Sequence, residues 1–269
     1  MTRRLLTFVF AASLSVAHAA DLQVPSTLMN EVGKVLLADD FSSPTLDARW
    51  TQPKGQWRIV DGALKGLEIE AQKYAGHTKT QFTFGRSSVI RYRFKMAGAK
   101  KTGINIDGAK GHLCRVIIEP HGFIVQKNGS STDPSDPARL LDAAAFNFKP
   151  NEWYVLTVEF NGDTVLAWID EQHYVLGADP KLDQDKASFA LVCRGVEAKD
   201  EAMFFDDVKV WEAAPRPDWA ARKAKLLTQH ASAPKPPIAG PDHYKNAQAE
   251  RAKKAAGTDA KKSPERPVK

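Results

Sequence analysis

Apolar and polar residues alternate with a period of two between Val35 and Trp211, in short runs that turn residues separate. The segment 87–96 is the clearest case, because its apolar residues fall on one face and its basic residues on the other. Such alternation is typical of an antiparallel strand with one face buried and one face in water. The apolar residues are Ile90, Tyr92, Phe94 and Met96, and the basic ones are Arg91, Arg93 and Lys95.

Two dipeptides between such runs predict tight β-hairpins. Asp61-Gly62 separates 57–60 from 63–67, and Asn161-Gly162 separates 153–160 from 164–169. Both dipeptides tolerate the positive φ that a two-residue hairpin turn needs. Because about a dozen short strands and no long helix follow from this pattern, the sequence predicts an all-β fold, an antiparallel two-sheet jelly-roll sandwich. Further strands are predicted at 77–84, 102–106, 112–119, 122–127, 186–193 and 203–211.

The first twenty residues have the pattern of a signal peptide. Arg3 and Arg4 precede the apolar run 5–16, and Ala17-His18-Ala19 supplies small residues at a cleavage position. The run is shorter than the roughly 20 residues that cross a bilayer. The sequence therefore predicts an exported protein, periplasmic or extracellular; the alternative is a buried N-terminal helix or an uncleaved anchor.

The remaining chain divides into three predicted parts. Residues 21–212 form the sandwich domain, 213–232 contain a short helix packed on that domain, and 233–269 form a disordered basic tail. In the helix, which begins at Pro217, Trp219, Leu226 and Leu227 share one face. The tail is rich in Pro, Ala and Lys and has too few apolar residues to offset the entropy of ordering.

The positive charge of the chain belongs to its ends. The formal net charge is +6, of which the leader contributes two, while residues 233–269 hold nine Lys/Arg and four Asp/Glu. The predicted domain is therefore close to neutral, and no nucleic-acid partner is expected. The tail could make weak contact with an anionic envelope surface; a simple solvated tail is the alternative.

Cys114 and Cys193 both fall in predicted central strands. An exported location permits a disulfide between them, and the alternative is two buried thiols that act as small hydrophobic groups.

The segment 111–121 concentrates the candidate chemistry. His112, Arg115 and Glu119 lie in one strand, and Arg115 and Glu119 share a face. A histidine there could act as a general base and an arginine could bind a sugar oxyanion or carboxylate. The alternative is an exposed Arg–Glu pair with surface histidines. A strand with the Glu-x-Asp-x-(x)-Glu spacing of sandwich glucanases is absent, which disfavours hydrolysis by two carboxylates.

Two further sets of residues are candidates for ligand and metal binding. Arg91 and Arg93 offer a platform for an acidic ligand; the alternative is that they only form the solvent-exposed face of a sheet. Trp168 offers a ring on which a sugar could stack; the alternative is that it packs under a loop. Asp40 and Asp206 lie near the first and last strands and suit a structural Ca²⁺, unless they are only polar strand ends.

The sequence between about 35 and 212 resembles the 3-keto-disaccharide hydrolase family of concanavalin A-like sandwiches. The chain departs from the pattern of that family at 102–105 and 112–117. The residues that carry the resemblance are Asp40-Phe41-Ser42, the segment 55–64, Asn151-Glu152-Trp153-Tyr154, Phe160-Asn161-Gly162 and the segment 205–211.

The resemblance implies an exported enzyme that cleaves 3-keto-glycosides. A ketone at C3 acidifies the proton at C2, so a base can remove it and the C1 substituent can leave by elimination. This chemistry needs a base and an oxyanion stabiliser, for which the candidates are His112 and Arg115. The alternatives are a non-catalytic, lectin-like module that binds a glycan, and an envelope-associated structural protein.

Overall fold

A computed structural model of the chain describes residues 25–130, 132–199, 201–231 and 233–235. The predicted leader and nearly all of the predicted tail lie outside the described residues. Within the described part, no helix has the length and apolar character needed to cross a membrane.

The described residues form two antiparallel sheets and one α-helix, α1 (Trp219–Ala231). The strands are β1 (Asn30–Asp39), β2 (Trp50–Lys54), β3 (Gln56–Val60), β4 (Ala63–Leu67), β5 (Gly76–Thr80), β6 (Ser88–Ala97), β7 (Lys101–Gly108), β8 (Gly111–Glu119), β9 (Gly122–Lys127), β10 (Arg139–Ala145), β11 (Trp153–Asn161), β12 (Thr164–Trp168), β13 (Tyr174–Ala178), β14 (Ser188–Arg194) and β15 (Ala202–Pro215). Sheet A has the order β13-β12-β11-β6-β15-β4-β3, with β1 also paired to β15, and sheet B has the order β10-β9-β8-β7-β14-β5-β2.

The core lies between the two sheets and is built from the residues that alternation assigned to it. All four apolar residues of β6 that share a face are buried, while Arg91, Arg93 and Lys95 between them remain partly exposed. Tyr92 and Phe205 pack their rings 6.1 Å apart within sheet A, and Trp50 and Phe189 pack at 5.7 Å within sheet B. Burial of these large rings supplies most of the hydrophobic stabilisation of a sandwich. The predicted all-β sandwich is confirmed.

Both predicted hairpins form, although the second turn lies one residue further along. Asp61 and Gly62 have φ of 50° and 71°, as a type I′ turn requires. In the second hairpin Asn161 pairs with Thr164, so the turn is made by Gly162 and Asp163 and only Gly162 has positive φ. That pattern is typical of a type II′ turn, in which glycine takes the first central position.

The first and last strands are neighbours, because β1 pairs with β15 from Asn30↔Pro215 to Asp39↔Val208. The first strand ends at Asp39, just before Asp40, and β15 continues to Pro215, beyond the predicted domain boundary.

Helix α1 covers one end of the outer face of sheet A. Leu226 is buried against that face, and the hydroxyl of Tyr174 donates a hydrogen bond to the Leu226 carbonyl at 2.5 Å. Trp219 packs into the same cluster, but Leu227 is 50% exposed, so the predicted three-residue apolar face contains only two of its members.

The two cysteines are free thiols inside the core. Cys114 pairs with Ile106 on β7, whereas Cys193 pairs with Thr102 on the same strand. Their positions along β7 therefore differ by four residues, or roughly 13 Å, which exceeds the span of a disulfide. The disulfide alternative is wrong for this fold, and burial raises the pKa of each thiol to about 12.

Candidate functional site

The outer face of sheet B contains a hollow of about 950 Å³, which we call the groove. Strands β5, β14, β7 and β8 run side by side beneath it. Side chains that point outward from these strands form cross-strand rows, because the register is continuous from one strand to the next. The groove is lined in part by His77, Gly103, Asn105, His112, Arg115 and Glu119.

A glycine keeps the floor of the groove low. One row runs from His77 on β5 through Val192 and Gly103 to Ile117 on β8. Gly103 has a φ of +147°, and a Cβ built on it would clash with the backbone carbonyl of Val116. No other residue type fits there without strain. The polar side chains therefore stand around an open centre.

A histidine that lines the groove, His112, is paired with an aspartate beside it. Asp107 on β7 accepts a hydrogen bond of 2.5 Å from the Nδ1 atom of His112 and forms an ion pair of 2.7 Å with Lys79. Ser188 donates to the same carboxylate at 3.0 Å. Burial acts to raise the pKa of Asp107, but the hydrogen bonds and charges of His112 and Lys79 outweigh it and hold that pKa well below its usual range. The carboxylate thus stays ionised and fixes the imidazole through Nδ1, which leaves Nε2 for proton transfer.

Arg115 and Glu119 line the groove on the same strand as His112. Arg115 lies opposite Asn105 of β7, in the row next to Gly103. Glu119 forms a 2.6 Å ion pair with Lys101. His112, Arg115 and Glu119, the three residues predicted as catalytic, therefore all line the groove, with His112 and Arg115 in adjacent rows and Glu119 further along β8.

Sequence reasoning missed His77, a second imidazole that lines the groove. Burial lowers the pKa of His77 to about 4, and the nearby positive charges of Arg115, His112 and Arg194 act in the same direction, against the charge of Asp107. His77 is therefore neutral at physiological pH. Its strand is separated from β8 by two others, so no local motif could have linked the two histidines.

The three residues predicted to bind substrate lie on the opposite sheet. Arg93 forms a 3.0 Å ion pair with Asp206 on the outer face of sheet A, and Arg91 lies 3.9 Å from Asp207. The indole Nε1 of Trp168 donates to Glu159 at 2.9 Å under the cluster that contains α1. None of these three residues lines the groove.

The predicted calcium ligands are occupied by protein contacts. Asp40 accepts hydrogen bonds from the amide and the hydroxyl of Ser42, and Asp206 is held by Arg93. Burial raises the pKa of Asp206, and the neighbouring charges of Asp207 and Asp40 add to that rise. Among the described residues no cluster of three or more metal-binding side chains occurs. Since a calcium ion takes six to eight oxygens, Asp40 and Asp206 would need further oxygen ligands, and the calcium site stays a prediction.

Comparisons with known proteins show the fold. No protein-family model and no curated protein sequence matches the chain. A galectin-like protein of unknown function from Bacillus subtilis is similar with a TM-score of 0.53 and 12% identity, over 70% of this chain and 100% of that one. The family GH16 endo-β-1,3(4)-glucanase SCLam is similar with a TM-score of 0.51 and 15% identity, over 70% of this chain and 96% of that one. LamAcat from Zobellia galactanivorans is similar with a TM-score of 0.50 and 13% identity, over 67% of this chain and 98% of that one. At this level of identity the similarity concerns architecture alone.

Proposed function

We propose that this chain is an exported carbohydrate-active protein that binds a sugar in the groove and cleaves 3-keto-glycosides by base-assisted elimination. The observation that carries the proposal is the fixed Asp107–His112 pair beside Arg115 around the open floor at Gly103. A base and a cation that share one cleft are the two groups that such an elimination needs. A glucanase of the same fold has been crystallised with an oligosaccharide at its active site, which supports a sugar ligand.

In the proposed reaction, the Nε2 atom of His112 removes the C2 proton, and the electron pair of the C–H bond forms an enolate whose negative oxygen is at C3. Arg115 stabilises that oxygen. Collapse of the enolate breaks the bond between C1 and the glycosidic oxygen, and the leaving oxygen takes a proton from the imidazolium or from water. Addition of water across C1 and C2 then yields the free 3-keto sugar, so the net reaction is hydrolysis.

Hydrolysis by two carboxylates is less compatible with the groove. Four glutamates line it: Glu70 is exposed to solvent, and Glu119, Glu68 and Glu201 each form an ion pair with a cation. The partners are Lys101 at 2.6 Å, Arg194 at 3.4 Å and Lys100 at 3.5 Å respectively. A carboxylate engaged by a cation is less available to protonate a leaving group or to attack a sugar carbon.

The test is release of 3-keto-glucose from 3-keto-disaccharides by the purified mature protein. We expect His112→Ala to lower kcat/KM by about 10²- to 10⁴-fold, the usual contribution of a general base. The matched control is His173→Ala, which removes a histidine that is also held by an aspartate, Asp170, at 2.8 Å but does not line the groove. Equal activity of both variants would overturn the assignment of the base.

A non-catalytic lectin-like role is the second candidate, because the same groove could hold a glycan without turnover. A thermal-shift screen of glycans and keto-sugars, with and without Ca²⁺, separates the two roles. Stabilisation by a sugar without product formation favours the lectin-like role, and a shift with Ca²⁺ alone supports the calcium prediction.

Export and the role of the tail are tested separately. We expect the protein to appear in the periplasmic or extracellular fraction without residues 1–20. If the tail contacts an anionic envelope surface, a chain that ends at residue 232 should bind envelope fractions less well than the full chain, and equal binding contradicts that role.

A further inference from the structure

We propose that His77 contacts the substrate in the groove and recognises a sugar hydroxyl from the wall opposite Arg115. The inference rests on the proposed function, because it assigns a residue to the same site. A sugar ring above Gly103 would then lie between an imidazole on β5 and a guanidinium on β8.

The register supports this placement. His77 begins the cross-strand row that passes over Val192 and Gly103, and Arg115 belongs to the adjacent row. Strands β5 and β8 are three strand spacings apart, or about 14 Å, and both side chains line the hollow between them. Because Gly103 contributes no side chain and Val192 is short, nothing large on the intervening strands fills this part of the row.

The charges around His77 favour a hydrogen-bonding role. Burial, together with the positive charges of Arg115 and Arg194 nearby, lowers the pKa of His77, so the neutral ring is its stable form in the groove. A neutral imidazole has one N–H donor and one nitrogen acceptor, whereas a guanidinium can only donate. A sugar hydroxyl also donates and accepts, so it matches His77, while an oxygen that becomes negative matches Arg115. The two walls therefore suit different oxygens of one sugar.

Protonation of His77 would remove its acceptor and add a cation to a cationic cleft. We therefore expect KM to be constant from neutral pH down to about pH 5 and to rise as the pH approaches 4. The charged groups that face His77 are Lys54 on β2, Arg194 on β14, Asp107 on β7, and His112 and Arg115 on β8.

The experiment compares His77→Ala and His77→Gln with the wild-type protein in the cleavage of 3-keto-disaccharides. We expect His77→Ala to raise KM about tenfold or more with a smaller change in kcat, as loss of a recognised hydroxyl contact does. The glutamine amide also donates and accepts, so His77→Gln should keep part of the affinity and lose the rise of KM near pH 4. His121→Ala is the control, since His121 is exposed and does not line the groove.

The outcomes separate the inference from the proposed function. A folded His77→Ala variant whose KM stays within twofold of the wild-type value overturns the role of His77 and leaves the elimination intact. If the wild-type protein does not cleave, the elimination fails, and the imidazole NMR signals of His77 are followed on addition of methyl 3-keto-glucoside. The His77 signals are assigned by their absence from the spectrum of His77→Gln. A change in their chemical shifts when the sugar is added supports the contact, and unchanged chemical shifts overturn it.

Discussion

The two outer faces of the sandwich follow the same alternation but differ in shape. On sheet A, Lys65, Phe204, Lys95 and Trp153 form one continuous cross-strand row. The Nζ atom of Lys95 lies 4.5 Å from the centroid of the Phe204 ring and 5.0 Å from that of Trp153. Large side chains therefore cover this part of the face. On sheet B the row from His77 to Ile117 contains Gly103, and polar groups surround the hollow above it.

The comparison shows that polarity alone does not make a site. Both faces carry arginines, lysines and carboxylates, and both satisfy many of them with ion pairs. On sheet A, cations stacked on aromatic rings contact one another across the strands. A small residue in the middle of a sheet leaves space that charged neighbours can surround, which is the usual form of a ligand site.

The largest effect is expected at Gly103, in the floor of the groove. In Gly103→Val a branched side chain must adopt positive φ and its Cβ meets the Val116 carbonyl, so the backbones of β7 and β8 must move apart there. We therefore expect a loss of about 3–5 kcal/mol in the free energy of unfolding and loss of ligand binding. Urea unfolding measures the change. Gly62→Ala is the matched control, because Gly62 also has positive φ, +71°, but no neighbouring atom lies within 4 Å of the position that a Cβ would take there. We expect it to cost only about 1 kcal/mol.

The next effect concerns acid stability and the neutral imidazole of the groove. The unfolded chain protonates His77 near pH 6.5, whereas the folded protein does so only near pH 4. Between these values the unfolded state binds more protons, so the wild-type protein loses stability as the pH falls, by up to about 3 kcal/mol from this group. Urea midpoints of His77→Gln should fall less between pH 6.5 and 4. Parallel curves for the two proteins would contradict the neutral state of His77.

A smaller loss is expected at the covered end of sheet A. Glu159 accepts five hydrogen bonds: from the amides of Leu28, Met29 and Asn30, the Asn30 side chain, and the Trp168 indole. Glu159→Gln replaces one acceptor oxygen by a donor, so at least one N–H loses its partner. We expect a loss of about 2 kcal/mol in thermal or urea unfolding. Glu152→Gln, at an exposed glutamate, should change stability by less than about 0.5 kcal/mol.

The smallest effect is expected on the open part of sheet A. Arg93→Met removes a partly exposed ion pair with Asp206, which should cost less than about 1 kcal/mol and leave cleavage unchanged. Arg115→Met, the same substitution in the groove, should lower kcat by about 10²- to 10³-fold if Arg115 stabilises the enolate. Loss of activity in Arg93→Met with Arg115→Met unaffected would reverse the assignment of the two faces.

Much of the fold could be predicted from the chain, because alternation and turn chemistry are local. The burial of alternate residues in β6 and the Asp61-Gly62 turn are confirmed. Strands β2, β10 and β13 were not predicted, and β1 was predicted only in part. Strand β10, for example, consists mainly of Leu, Asp and Ala, and its only fully buried residue is Ala144, so its sequence carries little alternation. Pairing with β9 rather than its own pattern makes it a strand.

The candidate site divides in the same way. His112, Arg115 and Glu119 were predicted because one strand carries all three, and the structure gathers them in the groove. Asp107 and His77 were not predicted. They come near His112 and Arg115 only because their strands, β7 and β5, belong to the same sheet as β8. Arg91 and Arg93 have the same strand spacing as groove residues, and nothing local reveals that their strand belongs to the other sheet.

In strands with clear alternation, such as β6, the amino-acid sequence by itself determined which side chains face the core and which face solvent, because a period of two is a property of the extended backbone. Only the tertiary structure decided which polar faces became neighbours, where Gly103 left a hollow, and that Cys114 and Cys193 stay apart. Strand order and register fix those distances, and both arise from contacts between residues far apart in the chain.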